Sequence, residues 1–149
     1  MPMAEAMEHF DIIVNATLQD TDNPQMYVRS NELSQLRKGT LIVDVSCDEG
    51  MGFEFAKPTS FKEPTFWANK ERNILYYAVD HSPTYLWNSA TFSISRALLP
   101  HIETVMRGPE AWSKSETIRR SIEIQDGVIQ NPKILRFQNR NEEYPHTIK

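Results

Sequence analysis

Side chains that could carry acid–base chemistry follow two short apolar runs of this sequence. The run at residues 41–45 leads into Ser46 and Asp48, and the run at residues 74–79 leads into Asp80-His81-Ser82. Apolar runs of this length are typical of strands that are buried on both faces of a parallel sheet. In an open α/β sheet, ligands bind just beyond the carboxyl ends of the strands. We therefore predict that these polar residues share one ligand site.

His81 is the candidate general acid of this site, because the ordinary pKa of histidine allows proton exchange near neutral pH. Asp80 could hold the tautomer of the ring, although adjacent residues of a strand point to opposite faces. The alternative for His81 is a ring that lines a cofactor pocket and donates to a backbone carbonyl. Asp44 lies inside an apolar run, where an unpaired carboxylate would be costly. We expect it to form structural hydrogen bonds, for example with a loop backbone.

The elements that would position these side chains form a strand–helix–strand unit. Residues 11–17 predict a buried strand, and residues 40–45 predict a second strand. Between them, Ser30 is a candidate N-cap of a short helix that Gly39 ends. A strand–helix–strand order implies a right-handed crossover and parallel neighbouring strands.

The remainder of the chain predicts a loop, a hairpin and helices. Residues 50–64 indicate an ordered loop, and residues 65–67 with 74–79 indicate a hairpin whose second arm is the third main strand. From Ser89 onward, apolar residues recur at helical spacing, with a kink or a restart expected at Pro100. A short helix is expected at residues 117–124. After Gly127 we expect an extended chain, which frays beyond Arg140.

Composition excludes several classes of protein. The chain has 149 residues and a formal net charge of −4 with dispersed basic residues, which argues against a nucleic-acid surface. Its single cysteine, Cys47, excludes an intramolecular disulfide and fits a reducing cytoplasm. No apolar stretch approaches the roughly 20 residues of a membrane span, and the acidic N-terminus does not indicate a signal peptide. No cluster has metal-ligand spacing, so no metal is expected.

Three strands with polar carboxyl-terminal loops make only the distal half of a Rossmann-like parallel sheet. The other half normally supplies a glycine-rich phosphate turn, G-x-G-x-x-G, which is absent here. Gly50 and Gly52 form a close pair but do not open a helix. We therefore expect contacts with the nicotinamide end of a dinucleotide. For the residues that follow the first strand, the alternative is that they only cap the end of the strand. The predicted contacts are Asn15, Ala16, Thr17, Leu18, Val45, Ser46, Val79, Asp80, His81 and Ser82.

Motifs along the chain resemble the alanine dehydrogenase/nicotinamide nucleotide transhydrogenase superfamily. They are residues 42–48 (IVDVSCD), 53–59 (FEFAKPT) and 77–83 (YAVDHSP). The Asp-His-Ser-Pro at positions 80–83 departs from the Ala-Asn-Met-Pro typical of alanine dehydrogenases and looks more like the opine and saccharopine dehydrogenase branch. Three further segments are similar to N5-(carboxyethyl)ornithine synthases: residues 51–60, 85–89 and 105–112. The resemblance extends from about Phe10 to His146.

The resemblance implies an NAD(P)H-dependent condensation of pyruvate with the side-chain amine of ornithine. If the protein is an enzyme, the alternative is alanine or saccharopine dehydrogenase activity. If it is not an enzyme, the alternative is a non-catalytic remnant or an interaction module. Asp48 matches the aspartate that approaches the substrate in alanine dehydrogenases, and it could orient an amine by a charge-assisted hydrogen bond. Its alternative role is that of a turn-forming aspartate. His81 would protonate the hydroxyl that leaves as water.

The resemblance also implies a division of the chain. Residues 1–88 would form the second half of a dinucleotide-binding domain. Residues 89–149 would form a crossover helix and the C-terminal part of a split substrate domain. The partners implied are NADP(H) or NAD(H), a keto acid and amino acid substrate pair, a missing N-terminal portion of the enzyme, and further copies in a homo-oligomer.

Overall fold

The computed structural model describes residues 2–20 and 23–149. These residues divide into two compact units, one that ends at Ser82 and one that begins at Pro83. The first unit is built around a sheet and the second is mainly helical. The predicted mixed α/β class is therefore confirmed.

A four-stranded sheet organises the first unit, in the order β1–β3–β6–β5. The strands are β1 (Ile12–Asn15), β3 (Leu41–Asp44), β5 (Thr65–Asn69) and β6 (Ile74–Tyr77). β1, β3 and β6 are parallel, and β5 pairs antiparallel with β6. Their apolar, largely β-branched or aromatic residues favour this extended pairing. The three predicted main strands and the hairpin are thus confirmed.

One face of this sheet packs into the core of the first unit. Ile13, Ile42 and Tyr76 lie side by side across the strands and are buried. They share a cluster with residues from α1 (Met3–Met7) and from the 3₁₀ helix at Ser30–Ser34. A second, two-stranded sheet of β2 (Met26–Val28) and β4 (Gly52–Phe53) contributes Val28 and Phe53 to the same cluster. The core therefore fixes the three parallel strands from one side.

Two local predictions for the first unit were wrong. Ser30 is the first residue of a 3₁₀ helix and not its N-cap; the preceding Arg29 donates its N–H to Glu32 Oε2 at 2.7 Å. The region predicted as a loop contains β4, which pairs in parallel with β2. Neither strand exceeds three residues, so no alternating pattern long enough to identify them exists.

The second unit begins with a 3₁₀ helix at Ser82–Leu86, which overlaps the boundary, and a long helix, α2 (Trp87–Met106). α2 continues through Pro100, so the helix does not restart there. A proline removes one backbone hydrogen bond, and the bonds of the neighbouring residues maintain the helix. Two short helices follow, α3 (Pro109–Lys114) and α4 (Glu116–Arg120).

The C-terminal part of the second unit differs from the sequence prediction. Ile124 lies in the hairpin β7 (Ile124–Gln125) and β8 (Val128–Ile129), not in a helix. Residues predicted as extended form α5 (Pro132–Phe137), whose N-cap Asn131 accepts from the N–H of Lys133. Residues beyond Arg140 do not fray, because Arg140 pairs with Ile148 and His146 is buried. None of the helices described is long and apolar enough to cross a membrane.

Candidate functional site

A groove of about 220 Å³ lies at the carboxyl ends of β1 and β3. Its lining residues are Ala16, Thr17, Leu18, Val45, Ser46 and Asp48. Five of them were predicted as cofactor contacts, and Asp48 was predicted as a substrate contact. The structure brings these six residues together, and their roles remain predictions.

Hydrogen bonds between the two loops fix the shape of this groove. The N–H of Val45 donates to the carbonyl of Asn15 at 2.7 Å, which extends the β1–β3 pairing into the loops. The Ser46 hydroxyl donates to the carbonyl of Thr17, also at 2.7 Å. After them, the N–H of Met51 donates to the carbonyl of Asp48 at 3.1 Å, and this closes a turn. The exposed Asp48 side chain is thus presented from a tight turn.

A buried carboxylate lies beneath the groove and connects the three parallel strands. Asp44 is 1% exposed, and its Oδ1 accepts from Asn15 Nδ2 and from the N–H of Cys47, both at 2.9 Å. Its Oδ2 accepts from the hydroxyl of Tyr76 at 2.7 Å. These three donors compensate the cost of burying the charge. The structural role predicted for Asp44, including its bond to a loop backbone, is confirmed.

Asn15 belongs to this network more than to the surface of the groove. Its side-chain amide donates to Asp44, and its Oδ1 accepts from the N–H of Thr17 at 3.2 Å. The residue is only 6% exposed. Its carbonyl also accepts from the N–H groups of Val45 and Ser46, so little of Asn15 is left to contact a cofactor.

Two groups of the network have raised pKa values. Burial, and then the hydrogen bond to Asp44 and its charge, raise the pKa of Tyr76 far above that of an ordinary tyrosine. Burial raises the pKa of the Cys47 thiol, and the carboxylates of Asp80, Asp44 and Asp48 add to the effect. Both groups remain protonated at neutral pH, so Cys47 lacks the thiolate that a nucleophile requires. Cys47 instead packs in the core cluster of the first unit as a small apolar residue.

The second group of candidates follows β6 and does not line the groove. Asp80 Oδ1 contacts His81 Nδ1, and the histidine ring packs edge-on against Phe61, with 4.4 Å between ring centroids. The expectation that neighbouring residues point apart does not apply, since β6 ends at Tyr77 and residues 80 and 81 lie in a turn. A carboxylate at Nδ1 fixes the tautomer of a histidine ring.

Ser82 and Val79 hold this turn together. The Ser82 hydroxyl donates to the carbonyl of Val79 at 2.7 Å, and it lies 2.6 Å from the hydroxyl of Tyr77. Because a serine hydroxyl has one proton, Tyr77 must be the donor to Ser82. The Val79 side chain is 3% exposed. Both residues therefore have structural partners, and little of Val79 is exposed to a cofactor.

Sequence reasoning missed Tyr76 and Gly52. A tyrosine on the buried face of a strand needs a partner for its hydroxyl, and this signal could have linked Tyr76 to Asp44. Gly52 has a φ of 74°, and a Cβ built there would lie 3.1 Å from Asn15 Nδ2 and 3.4 Å from Tyr27. The glycine therefore permits close approach of β4 to the network. In the structure Gly52 begins β4, and no helix begins next to it.

Comparison with known proteins identifies related sequences. The sequence model of the family described as "Alanine dehydrogenase/PNT, C-terminal domain" matches residues 2–132. An alanine dehydrogenase of Mycolicibacterium smegmatis is 24% identical over 131 residues, which are 87% of this chain and 34% of that protein. An N(5)-(carboxyethyl)ornithine synthase of Clostridium botulinum is 30% identical over 100 residues, which are 67% of this chain and 30% of that protein.

A solved structure shares the fold. An L-alanine dehydrogenase matches with a TM-score of 0.72 and 23% sequence identity, over 90% of this chain and 37% of that one. The chain spans about a third of the length of the curated relatives that it matches, 34% for the first of them.

Proposed function

Since this chain belongs to the alanine dehydrogenase/PNT C-terminal domain family, we propose that it forms the nicotinamide-end half of an NAD(P)H-dependent oxidoreductase site. In this proposal, residues 1–88 act as the second half of a dinucleotide-binding domain. Residues 89–149 supply a crossover helix and the C-terminal part of a substrate domain. The observation that carries the proposal is the groove at the ends of β1 and β3, which brings together Ala16–Leu18, Val45, Ser46 and Asp48.

The groove fits one end of a dinucleotide. Its volume of about 220 Å³ is below the roughly 300–1,000 Å³ of pockets that enclose drug-sized ligands, so a whole dinucleotide would extend beyond it. Ala16 and Thr17 are small, which permits close approach of a ring, and the half-exposed Val45 offers an apolar contact. When bound, NAD(P)H would supply a hydride. The family implies a nicotinamide dinucleotide, and the choice between NADP(H) and NAD(H) is left open.

Two side chains are proposed to act on the substrate. Asp48 is exposed at the groove and carries a carboxylate that can orient an amine through a charge-assisted hydrogen bond. His81 is the proposed proton donor, with Asp80 holding its Nδ1. Asp80, His81 and Ser82 follow the strand next to β3, so both groups of residues lie at the same end of the parallel strands.

The proposed reaction is the condensation of pyruvate with ornithine and reduction of the product. The Asp-His-Ser-Pro at positions 80–83 and the relative at 30% identity support this choice. Alanine dehydrogenase activity is the second candidate, supported by a match that covers 87% of this chain. A saccharopine-type reaction is a further alternative within enzymes. In each case, we propose that the active species includes an N-terminal portion, assembles as a homo-oligomer and works in the cytoplasm.

A fusion protein tests the proposal. The entire chain would replace the matching C-terminal third of the Clostridium botulinum relative, behind the N-terminal part of that enzyme. NADPH and NADH oxidation would then be followed with pyruvate plus ornithine, and separately with pyruvate plus ammonium. Turnover with ornithine supports the leading proposal, and turnover with ammonium alone supports alanine dehydrogenase activity.

Variants of the fusion test the residue roles. Asp48→Asn should abolish turnover, and His81→Gln should lower kcat by about 10²–10⁴-fold. The unmodified relative serves as the positive control. A folded fusion that binds NADPH without turnover on either substrate pair would contradict the enzymatic proposal and favour a non-catalytic module.

A further inference from the structure

A loop between β4 and β5, at residues 59–64, is anchored on the backbone that leads to His81. Thr59 pairs in parallel with Val79, two residues before the histidine. The N–H of Thr59 donates to the carbonyl of Ala78 at 2.9 Å, and the N–H of Ala78 donates to the Thr59 hydroxyl oxygen at 3.2 Å. Ala78 belongs to the buried cluster of the first unit. The loop is therefore attached directly to the core.

Hydrogen bonds within the loop hold its shape. The Thr59 hydroxyl donates to the carbonyl of Pro64 at 2.9 Å, which ties the two ends of the loop together. Between them, the N–H of Ser60 donates to the carbonyl of Glu63 at 3.3 Å, and the N–H of Glu63 donates to the Ser60 hydroxyl oxygen at 3.2 Å. Phe61 lies inside this turn, so the loop fixes the position from which its ring projects.

Phe61 and His81 occupy matching positions beyond the Thr59–Val79 pair. Each lies two residues after its member of that pair, so the parallel pairing brings them side by side. Their rings lie 4.4 Å apart between centroids with planes at 69°, an edge-on arrangement that aromatic pairs prefer. The His81 side chain is nevertheless 54% exposed. Phe61 therefore supports the histidine ring and leaves it accessible to a ligand.

A half-exposed histidine needs more than one contact to keep a single orientation. The χ2 torsion of histidine is broad and roughly two-fold. Asp80 contacts Nδ1, but its own side chain is 56% exposed, so this contact alone does not fix the ring in space. The Phe61 ring supplies a second contact, from a loop that is attached to the core. Such preorganisation matters for proton transfer, because a misplacement of about 1 Å can cost about 10²-fold in rate.

We propose that Phe61 is a positioning residue, which holds the His81 ring in the orientation from which it donates a proton to the substrate. This inference rests on the proposed function, in which His81 is the proton donor. Asp80 selects the tautomer of the ring, and Phe61 selects its orientation. The hydrogen bonds of Thr59 keep Phe61 in place.

Nuclear magnetic resonance of the full chain tests the orientation without cofactor or substrate. The ring signals of His81, assigned by their loss in His81→Gln, should show ring-current shifts from Phe61. At the high-pH limit they should also show a tautomer protonated on Nδ1. Phe61→Ala should remove the ring-current shifts and at least about halve the difference between the two ring nitrogen shifts, because a mobile ring leaves Asp80 part of the time. Phe61→Tyr keeps an aromatic ring and should restore both signals.

Phe66→Ala is the matched control. Phe66 lies shortly after the same loop, is half-buried, and packs against Tyr76 with 4.9 Å between ring centroids. Its truncation removes a ring of the same size and should leave the His81 signals unchanged. Unaltered His81 signals in Phe61→Ala would overturn the inference, and so would equal changes in Phe61→Ala and Phe66→Ala.

The fusion protein provides the kinetic measurement. Phe61→Ala should lower kcat at least about tenfold and change KM less than about twofold, because ring orientation affects proton transfer more than substrate binding. Phe61→Tyr should recover most of the lost kcat. A loss of kcat no larger than that in Phe66→Ala would also overturn the inference. If the fusion has no turnover, the enzymatic proposal fails, and the ring signals still decide whether Phe61 orients His81.

Discussion

The two units of this chain use their apolar residues differently. In the first unit, both β strands and loops contribute to a closed cluster that includes Phe53, Tyr76 and Leu33, each at most 1% exposed. In the second unit, α2 contains no buried residue, and Trp87, Phe92 and Leu99 are 62%, 66% and 68% exposed. The spacing of apolar residues thus identifies the apolar face of a helix or strand. It does not identify which other part of a protein packs against that face.

Truncation of an apolar side chain should give the largest difference in stability between the two units. Phe53→Ala removes a fully buried ring that packs against Phe55 and Tyr76, and should lower the free energy of unfolding by about 3–5 kcal/mol. Leu98→Ala in α2, where the side chain is 56% exposed, should change it by less than about 0.5 kcal/mol. Urea unfolding followed by circular dichroism measures both. Equal losses of unfolding free energy in the two variants would contradict the proposed difference between the buried core of the first unit and the exposed α2.

Glycine substitutions test whether the first unit is also more tightly constrained in its backbone. Gly52→Ala combines a positive φ with a Cβ contact at 3.1 Å and should cost about 2–3 kcal/mol. Gly127→Ala in the second unit has a similar φ of 80° but no atom within 4 Å, and should cost about 1 kcal/mol. Urea midpoints of the two variants give the comparison. A smaller loss at Gly52 than at Gly127 would show that the β4 contact yields easily.

Removal of the Tyr76 hydroxyl should show how much the hydrogen bonds around Asp44 contribute to stability. Tyr76→Phe leaves Asp44 Oδ2 without its donor and should cost about 1–3 kcal/mol at neutral pH. Tyr144→Phe is the control in the second unit, where the residue is 69% exposed and no loss is expected.

The same variant has a predicted pH dependence. The folded pKa of Tyr76 is raised, so the stability contributed by its neutral form is fully present below the unfolded pKa of about 10 and is lost as pH rises above it. The wild-type chain should therefore lose stability above about pH 10 more steeply than Tyr76→Phe. Parallel curves of unfolding free energy against pH for the two proteins would contradict this assignment.

Thiol alkylation compares the two units by reaction rate, and here we expect the smallest effect. Burial and three nearby carboxylates raise the pKa of Cys47, so iodoacetamide should react with it at least about tenfold more slowly than with a free thiol at neutral pH. A cysteine at the exposed position 93 of α2, made as Ser93→Cys in a Cys47→Ala background, should react at the free rate. Mass spectrometry of timed samples distinguishes the two, and equal rates would be inconsistent with a buried thiol.

The sequence predicted the elements that depend on local pattern. The runs at 11–17, 40–45 and 74–79 are apolar and mostly β-branched or aromatic, and they form the parallel strands as expected. The six residues of the groove were also predictable, because they follow two of these strands directly. Asn131-Pro132 carried the N-cap and first-turn signals of α5, which the prediction did not use.

Other features depend on residues that are distant in sequence. Tyr76 reaches Asp44 across 32 positions, and Gly52 meets Asn15 only because β4 and β1 converge on the same core. No local pattern encodes such pairs. Asp80–Ser82 form a separate turn that Tyr77 and Phe61 hold, an arrangement that again depends on residues distant in sequence, and their predicted role in the site stays a prediction.

The network around Asp44 also has a consequence for the order of folding. Asp44 is separated by 29 residues from Asn15 and by 32 residues from Tyr76, so the sheet forms by closing long loops, which slows folding. During synthesis from the N-terminus, β3 can pair with β1 before β6 has left the ribosome. At that stage Asp44 lacks the donor that Tyr76 later provides, and β3 is an open edge. A pause in translation after β3 has left the ribosome and before β6 has done so would therefore prolong the stage at which this chain is most exposed to misfolding.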